Sequence, residues 1–115
     1  MALKPRRTPR SYSPTTKEAL AVMGGEIRLA RKERGMTQVE LAERMGVSRN
    51  TLLAIEKGHP TSEIGLVFEA AILVGVPLFV EDTASLQIHR TRIDDKLALL
   101  PKSIHVVHQT VKDDF

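Results

Sequence analysis

The sequence predicts an all-α fold of five helices. Between residues 17 and 82, apolar side chains recur at intervals of three and four residues, which is the period of a helix with one buried face. A glycine follows four of these segments, and a residue that readily adopts the left-handed conformation commonly ends a helix. The four glycines are Gly35, Gly46, Gly58 and Gly75. The length of 115 residues fits one globular domain with extensions.

Composition narrows the class of protein. The chain contains no cysteine, which excludes disulfide scaffolds, thiolate zinc sites and cysteine nucleophiles and favours a reducing cytoplasm. No apolar run has the roughly 18 residues that a membrane helix needs, so no membrane contact is expected. Aromatic residues make up 3% of the chain, which argues against single-stranded nucleic acid, since its bases usually stack on aromatic rings.

The chain is expected to have three parts. Residues 1–16 are rich in proline, serine, threonine and arginine, which predicts a disordered basic arm. Residues 17–82 form the predicted globular domain, and residues 83–115 form a C-terminal extension for dimer or partner contacts. A mitochondrial presequence is the alternative for the arm, although its three prolines break the amphipathic helix that such a signal requires.

Local signals place the first three helices. The first is expected over residues 17–34. Thr37 and Glu40 form a capping box, in which each side chain can bond to the backbone N–H of the other residue, so a second helix begins there and stops before Gly46. Ser48 is a candidate N-cap for a third helix that ends near Lys57.

The remaining elements have weaker signals. A fourth helix is expected over residues 60–74, and Pro77 suits the first turn of a brief fifth helix. Beyond it, apolar residues fit a helix loosely up to Pro101. They are Leu86, Ile93, Leu97 and Leu100. Residues 104–107 are rich in β-branched side chains and suit a short edge strand that pairs across a dimer, although their spacing also fits a helix.

The segment from Gln38 to Ile55 fits two short helices that cross at a steep angle. Ala42 is small where the third helix passes close by, and Gly46 supplies the positive φ of the tight turn. Five apolar residues form the shared core. They are Leu41, Met45, Val47, Leu52 and Ile55. With these residues, the chain resembles the Cro/repressor-type family, also called the XRE family, over residues 24–82. The resemblance implies a five-helix repressor-type helix-turn-helix domain that binds double-stranded DNA.

The third helix offers side chains suited to reading bases in the major groove. Its buried positions leave four residues projecting from its first turns, namely Arg49, Asn50, Thr51 and Leu53. An arginine can donate two hydrogen bonds to guanine, and an asparagine can bridge the N6 and N7 atoms of adenine. The family docks this helix by its N-terminus. We therefore expect these four residues to contact bases.

Other residues are expected to contact the DNA backbone. Gln38 stands where proteins of the resembled family hold a phosphate or brace the base-reading side chains, and the amide end of a helix favours an anion. The further candidates are Thr37, Ser48, Thr51 and Lys57, with Arg6 and Arg7 in the arm. The arm suits phosphates or a minor groove, and a solvated tail is the alternative. Ala54 departs from the family pattern because it cannot contact a phosphate.

Two charged residues match a structural feature of the resembled family. Arg31 in the first helix and Glu56 in the third stand at the positions of its structural ion pair. The resemblance implies that this pair ties the helix-turn-helix to the rest of the domain. We assign both residues to folding and not to DNA contact.

The chain carries more apolar residues than a single small domain needs to bury. The expected dimer or partner surface comprises Leu66, Ile72, Leu73, Leu78, Ile104 and Val106. A two-fold homodimer would present two recognition helices about 34 Å apart to an inverted repeat, which favours a dimeric repressor of an operator in the cytoplasmic nucleoid.

The C-terminal segment has a second, weaker resemblance. Its acidic and aromatic end over residues 112–115, together with the small size of the chain, resembles HipB-like antitoxins. That resemblance implies that the protein neutralises a HipA-like kinase toxin and represses their shared promoter. The alternatives are a stand-alone transcriptional regulator and a helix-turn-helix module used only for protein contacts.

Neither an enzyme nor a metal or cofactor site is expected. The four histidines are His59, His89, His105 and His108. No carboxylate or thiol is spaced to complete a metal site with them. No nucleophile elbow, phosphate loop or paired-acid arrangement occurs either.

Overall fold

The computed structural model describes residues 10–79 and 82–103, and these residues contain five α-helices. The helices are α1 (Pro14–Glu33), α2 (Gln38–Met45), α3 (Arg49–Glu56), α4 (Ile64–Val74) and α5 (Thr83–Ala98). The prediction of an all-α, five-helix fold is confirmed. The suggested strand over residues 104–107 lies outside the described residues. No helix in the described part of the chain is long and apolar enough to cross a membrane.

Helix α1 begins three residues earlier than predicted. The Ser13 hydroxyl accepts a hydrogen bond from the backbone N–H of Thr16 at 3.2 Å, and Pro14 occupies the first helical position. Proline suits this position because its fixed φ matches the helix and its missing N–H would have had no partner there. Residues 14–16 therefore belong to α1 and not to the arm predicted over residues 1–16.

The fifth helix differs from the prediction, because Pro77 does not start one. Val76 and Leu78 on either side of it are buried in the core, so packing and not local propensity decides the conformation of this segment. Helix α5 begins later, where the carboxylate of Asp82 caps it by accepting from the backbone N–H of Ser85 at 2.7 Å. That hydrogen bond lowers the pKa of the Asp82 carboxyl.

Helices α1 to α4 enclose one hydrophobic core. Helix α2 packs on α3 and α4, and α1 packs on α3 and α4. The buried apolar residues are Ile27, Leu41, Ala42, Leu52, Ile55, Ala70, Ala71, Val74, Val76 and Leu78. Helix α5 belongs to a second compact unit that follows Leu78, and none of its residues is buried.

The backbones of α1 and α3 approach each other closely. A Cβ atom placed on Gly24 would lie 2.5 Å from the carbonyl oxygen of Ile55 and 2.6 Å from that of Glu56. At Gly58, which has a φ of 74°, a Cβ atom would lie 2.7 Å from the carbonyl oxygen of Leu20. Glycine at these two positions therefore lets α1 lie directly against the end of α3.

We expect Gly24→Ala to destabilise the fold. The added methyl group meets backbone carbonyls that cannot rotate away, so the free energy of unfolding should fall by about 1–3 kcal/mol. Gly25→Ala is the matched control, because a Cβ atom there has nothing within 4 Å and replacing a mid-helix glycine by alanine stabilises by about 0.5–1 kcal/mol. Urea unfolding of both variants measures the two effects. Equal stability of the two variants would contradict the close backbone contact.

Candidate nucleic-acid interface

Side-chain caps fix both ends of the turn between α2 and α3. Thr37 Oγ1 accepts from the backbone N–H of Glu40 at 3.1 Å, and Glu40 Oε1 accepts from that of Thr37 at 2.8 Å. Gly46 ends α2 with a left-handed φ of 72°. Ser48 then caps α3 by accepting from the backbone N–H of Thr51 at 3.1 Å. The two helices are thus joined by a short turn whose ends are set locally.

Arg31 and Glu56 form a buried ion pair between α1 and α3. Arg31 Nε lies 2.6 Å from Glu56 Oε2, and Arg31 Nη2 donates to Glu56 Oε1 at 3.0 Å. Arg31 Nη1 also donates to the backbone carbonyl of Met36 at 2.8 Å, just before α2. The two residues are 5% and 6% exposed. The pair therefore joins α1, α3 and the start of α2.

Gln38 links this ion pair to the first residue of α3. Its Nε2 donates to Glu56 Oε1 at 3.2 Å, and its Oε1 accepts from Arg49 Nε at 3.2 Å. Because a carboxylate only accepts hydrogen bonds, the amide NH₂ of Gln38 must face Glu56, and its carbonyl oxygen is left for Arg49. The buried charge thereby determines how Gln38 holds the arginine.

The four candidate base readers differ in exposure. Arg49 and Asn50 are exposed, whereas Thr51 and Leu53 are half-buried. The hydroxyls of Ser48 and Thr51 lie 2.9 Å apart and share a hydrogen bond. The structure thus leaves Arg49 and Asn50 most accessible to a ligand, while the hydroxyls of Ser48 and Thr51 already serve the helix cap.

A basic groove lies beside the start of α2. It encloses about 500 Å³, and its lining includes Arg28, Lys32, Gln38 and Arg49. No acidic side chain lines it among the described residues. Arg28 also lines a smaller cavity of about 110 Å³ together with Lys57 and other residues. A concave surface with a positive charge suits the phosphates of a nucleic acid.

Sequence reasoning missed Arg28 and Lys32 as candidate ligands of an anion. Both lie on α1, which the motif does not include, and only the packing of α1 against α3 brings them to this groove. Their spacing of four residues, which places them on one exposed helix face, is the signal that could have found them. Arg6 and Arg7, predicted for the arm, lie outside the described residues.

The structure leaves little of the predicted dimer surface exposed. Leu78 is 9% exposed and belongs to the core, and Leu66 and Leu73 are half-buried against it. Ile72 alone of the four described members is largely exposed, at 58%. Ile104 and Val106 lie outside the described residues. Three of the four described residues of the predicted dimer surface therefore lie in or against the core.

The histidines within the described residues do not assemble with carboxylates. Over residues 10–79 and 82–103, no three histidine or acidic side chains come close enough to hold a metal ion. His59 Nδ1 instead lies 2.8 Å from the hydroxyl of Thr61 in the loop after α3. His105 and His108 fall outside these ranges.

A capped helix with an exposed outer face, joined by a tight turn to a preceding helix on a small all-α core, defines a helix-turn-helix protein. Residues 27–79 match the model of the helix-turn-helix family. An uncharacterized HTH-type transcriptional regulator of Methanothermobacter thermautotrophicus is 49% identical over 49 residues, which cover 43% of this chain and 71% of that protein. The chain belongs to the helix-turn-helix family of transcriptional regulators.

Two further relatives show the same family. The cryptic phage CTXphi transcriptional repressor RstR of Vibrio cholerae is 33% identical over 94 residues, which cover 80% of this chain and 79% of the repressor. An uncharacterized HTH-type transcriptional regulator of Methanocaldococcus jannaschii is 38% identical over 56 residues, which cover 49% of this chain and 85% of that protein. No solved structure matches significantly.

We expect Glu56→Ala to destabilise the domain. The substitution leaves the guanidinium of Arg31 buried without its counter-ion, and breaking such a pair costs about 3–5 kcal/mol. Thermal unfolding measures the loss, and Glu43→Ala, which removes an exposed carboxylate of α2, is the control. DNA affinity should fall with the unfolded fraction and, in the molecules that stay folded, only by the smaller loss that follows from releasing Gln38 and Arg49. Lost DNA binding with unchanged melting would show instead that Glu56 acts on the DNA.

The capping box should make the thermal stability of the fold depend on pH below the ordinary pKa of a glutamate carboxyl. The backbone N–H and the side chain of Thr37 hold the pKa of the Glu40 carboxyl below its ordinary value of 4.5. The ionised form therefore stabilises the folded state fully above pH 4.5, and this contribution disappears as the pH falls through the lowered value. The difference in Tm between the wild type and Glu40→Gln should narrow over that interval. A difference that stays constant into strong acid would contradict the assignment.

Proposed function

We propose that the protein is a sequence-specific transcriptional repressor that binds double-stranded DNA with the N-terminal half of α3 in the major groove. The observation that supports this most directly is the hydrogen-bonded series of Glu56, Gln38 and Arg49. It holds an exposed arginine at the start of α3 before any ligand arrives, which reduces the entropy cost of ordering that side chain on binding.

The hydrogen bond from Arg49 to Gln38 leaves both terminal nitrogens of the guanidinium available for a base. Its Nε is engaged by Gln38, and neither Nη1 nor Nη2 has a partner among the described residues. These two atoms are spaced to donate together to O6 and N7 of a guanine. Asn50, exposed beside it, has the donor and acceptor that match adenine. A guanine next to an adenine is therefore the base pattern that this helix end favours.

The start of α2 and the basic groove would hold the DNA backbone. The capping box uses the N–H groups of Thr37 and Glu40. The N–H groups of Gln38 and Val39 have no partner within the described part of the chain, and they lie at the positive end of the helix dipole. With Arg28 and Lys32 in the same groove, they form a suitable seat for one phosphate.

Repression is proposed because one relative bears the name of a transcriptional repressor. The relatives reported above are named as regulators or a repressor, and none of these names concerns a toxin. The antitoxin role predicted from residues 112–115 therefore stays a prediction without further support. Those residues lie outside the described part of the chain, although residues 83–103 of the same extension lie within it.

The test is fluorescence anisotropy with DNA from upstream of the protein's own gene and with a scrambled duplex of equal length, titrated across salt concentration. Wild-type protein should prefer its own DNA, and Arg49→Ala should lose roughly fivefold to 150-fold of that preference, which corresponds to about 1–3 kcal/mol for one bidentate base contact. Its melting temperature should be unchanged, because Arg49 is exposed.

Arg34→Ala is the matched control. Its guanidinium lies beside Gly75, at the end of α4, and outside the basic groove. This variant should keep the preference and lose only a little affinity through net charge. Equal and strongly salt-sensitive binding of wild-type protein to both duplexes would contradict sequence recognition and favour a module used for protein contacts.

A further inference from the structure

Helix α1 has an outer face that combines exposed apolar and acidic side chains. Its members follow one another at intervals of three or four residues, so they lie along one side of the helix. Val22 is 58% exposed and Leu29 59%, and three exposed glutamates accompany them. The buried residues of α1 lie on the opposite side of the helix. This acidic–apolar face comprises Glu18, Val22, Glu26, Leu29 and Glu33.

The three glutamates of this face have no counter-ion among the described residues. None has a basic residue three or four positions away, which is the spacing of an ion pair within a helix. None forms an ion pair with a described residue of another element either. The basic side chains of Arg28 and Lys32 belong to a different side of α1 and line the basic groove. The acidic–apolar face therefore suits a segment that is basic and partly apolar.

The N-terminal arm, residues 1–12, has the composition that this face requires. A second copy of the face does not, because pairing the two would bring glutamates together. The arm contains no acidic residue, carries the apolar side chain of Leu3, and leads directly into α1. Its basic residues are Lys4, Arg6, Arg7 and Arg10.

The arm is long enough to run back along α1. Ser13 caps the helix, so an arm that reverses its direction over residues 10–13 runs antiparallel to it. An extended chain advances about 3.3 Å per residue, whereas a helix rises about 1.5 Å per residue. Pro5 and Pro9 favour an extended backbone. Nine residues of the arm therefore span about the 30 Å length of α1.

These dimensions give one register. Measured from Ser13, three arm residues reach about 10, 20 and 23 Å along the helix, and three members of the face lie at about 8, 20 and 24 Å. Two of these pairs join opposite charges and the third joins two leucines. In this order the pairs are Arg7 with Glu18, Lys4 with Glu26, and Leu3 with Leu29.

We infer that, in the absence of DNA, the N-terminal arm docks on the acidic–apolar face of α1, and that DNA phosphates compete with this face for the basic side chains of the arm. Each exposed ion pair is weak. A short tether, however, gives the arm an effective concentration in the millimolar range, so a contact with a Kd of about 1 mM is formed in about half of the molecules or more. The docking is independent of the proposed function, whereas the competition rests on it.

Docking lowers the affinity for DNA because a docked arm cannot contact phosphates. The apparent affinity falls by the fraction of molecules in which the arm is free, which is roughly twofold to tenfold for docked populations of about 50–90%. The acidic–apolar face thereby restrains binding that depends mainly on charge.

The first experiment detects docking in the full chain without DNA. The sequence contains no cysteine, so Leu3→Cys carries a single nitroxide label, and line broadening in ¹H–¹⁵N NMR spectra reports which amides it approaches. The signals of Glu26 and Leu29 broaden more than that of Asn50 on α3. The broadening does not depend on protein concentration, and it decreases at high salt because the charges are screened.

A charge-matched pair of variants tests the contact. Glu18→Gln and Glu26→Gln, combined in the labelled protein, weaken docking by at least about twofold, as the loss of two exposed ion pairs requires. Glu43→Gln combined with Glu69→Gln is the control, because it changes the net charge equally at exposed glutamates of α2 and α4. The control retains the broadening. Thermal unfolding checks that both proteins are folded.

The last experiment measures the competition by fluorescence anisotropy with a scrambled duplex. The protein with Glu18→Gln and Glu26→Gln binds roughly twofold to tenfold more tightly than the control protein. Adding Lys4→Gln and Arg7→Gln removes this difference, because a neutral arm neither docks nor attracts phosphates. The four proteins form a double-mutant cycle between the arm and the face.

Three outcomes overturn the inference. Broadening that is absent from α1, or equal in the two glutamine proteins, shows that the arm does not occupy the face. Broadening that increases with protein concentration assigns the face to another molecule. Equal DNA affinity of the two glutamine proteins refutes the competition. If the wild type binds no DNA, the proposed function fails and the competition with it, while the NMR experiment still decides the docking.

Discussion

The buried ion pair between Arg31 and Glu56 is the interaction on which the proposed DNA-binding surface depends. Such a pair adds little net stability, because the cost of removing two charges from water offsets their attraction. The role of the pair is to hold neighbouring groups in position. Glu56 fixes the amide of Gln38, which in turn holds Arg49, while Arg31 also binds the backbone before α2. One buried carboxylate therefore coordinates α1, α2 and α3 with a side chain that faces solvent.

The start of α2 combines a stabilising cap with unpaired backbone N–H groups of the kind that can bind an anion. The capping box satisfies two of the backbone N–H groups that the helix leaves unpaired at its N-terminus. The remaining groups belong to Gln38 and Val39, which line a groove whose charged lining is entirely basic within the described residues. The same capping interaction thus stabilises the helix and determines which of its amides stay available.

The parts of the fold that depend on interactions between residues close in sequence were predicted best. Thr37 with Glu40, and Ser48 with Thr51, form their caps within three residues, so the turn motif was readable. Pro77 suggested a helix start, but burial of its neighbours in the core overrode that local preference. Arg28 and Lys32 were missed because only tertiary packing brings α1 beside the motif. Long-range contacts account for both differences.

Because of the contact at Gly24, the position of α3 is set by residues other than those proposed to contact bases. Because the backbone carbonyls at the end of α3 lie against α1 with no side chain between them, the position of the helix does not depend on the residues of its outer face. Those residues can be exchanged without re-seating the helix, provided that the cap at Ser48 is kept. Under the proposed function, the scaffold is therefore well suited to the evolution, or the laboratory redesign, of new operator preferences by a few surface substitutions.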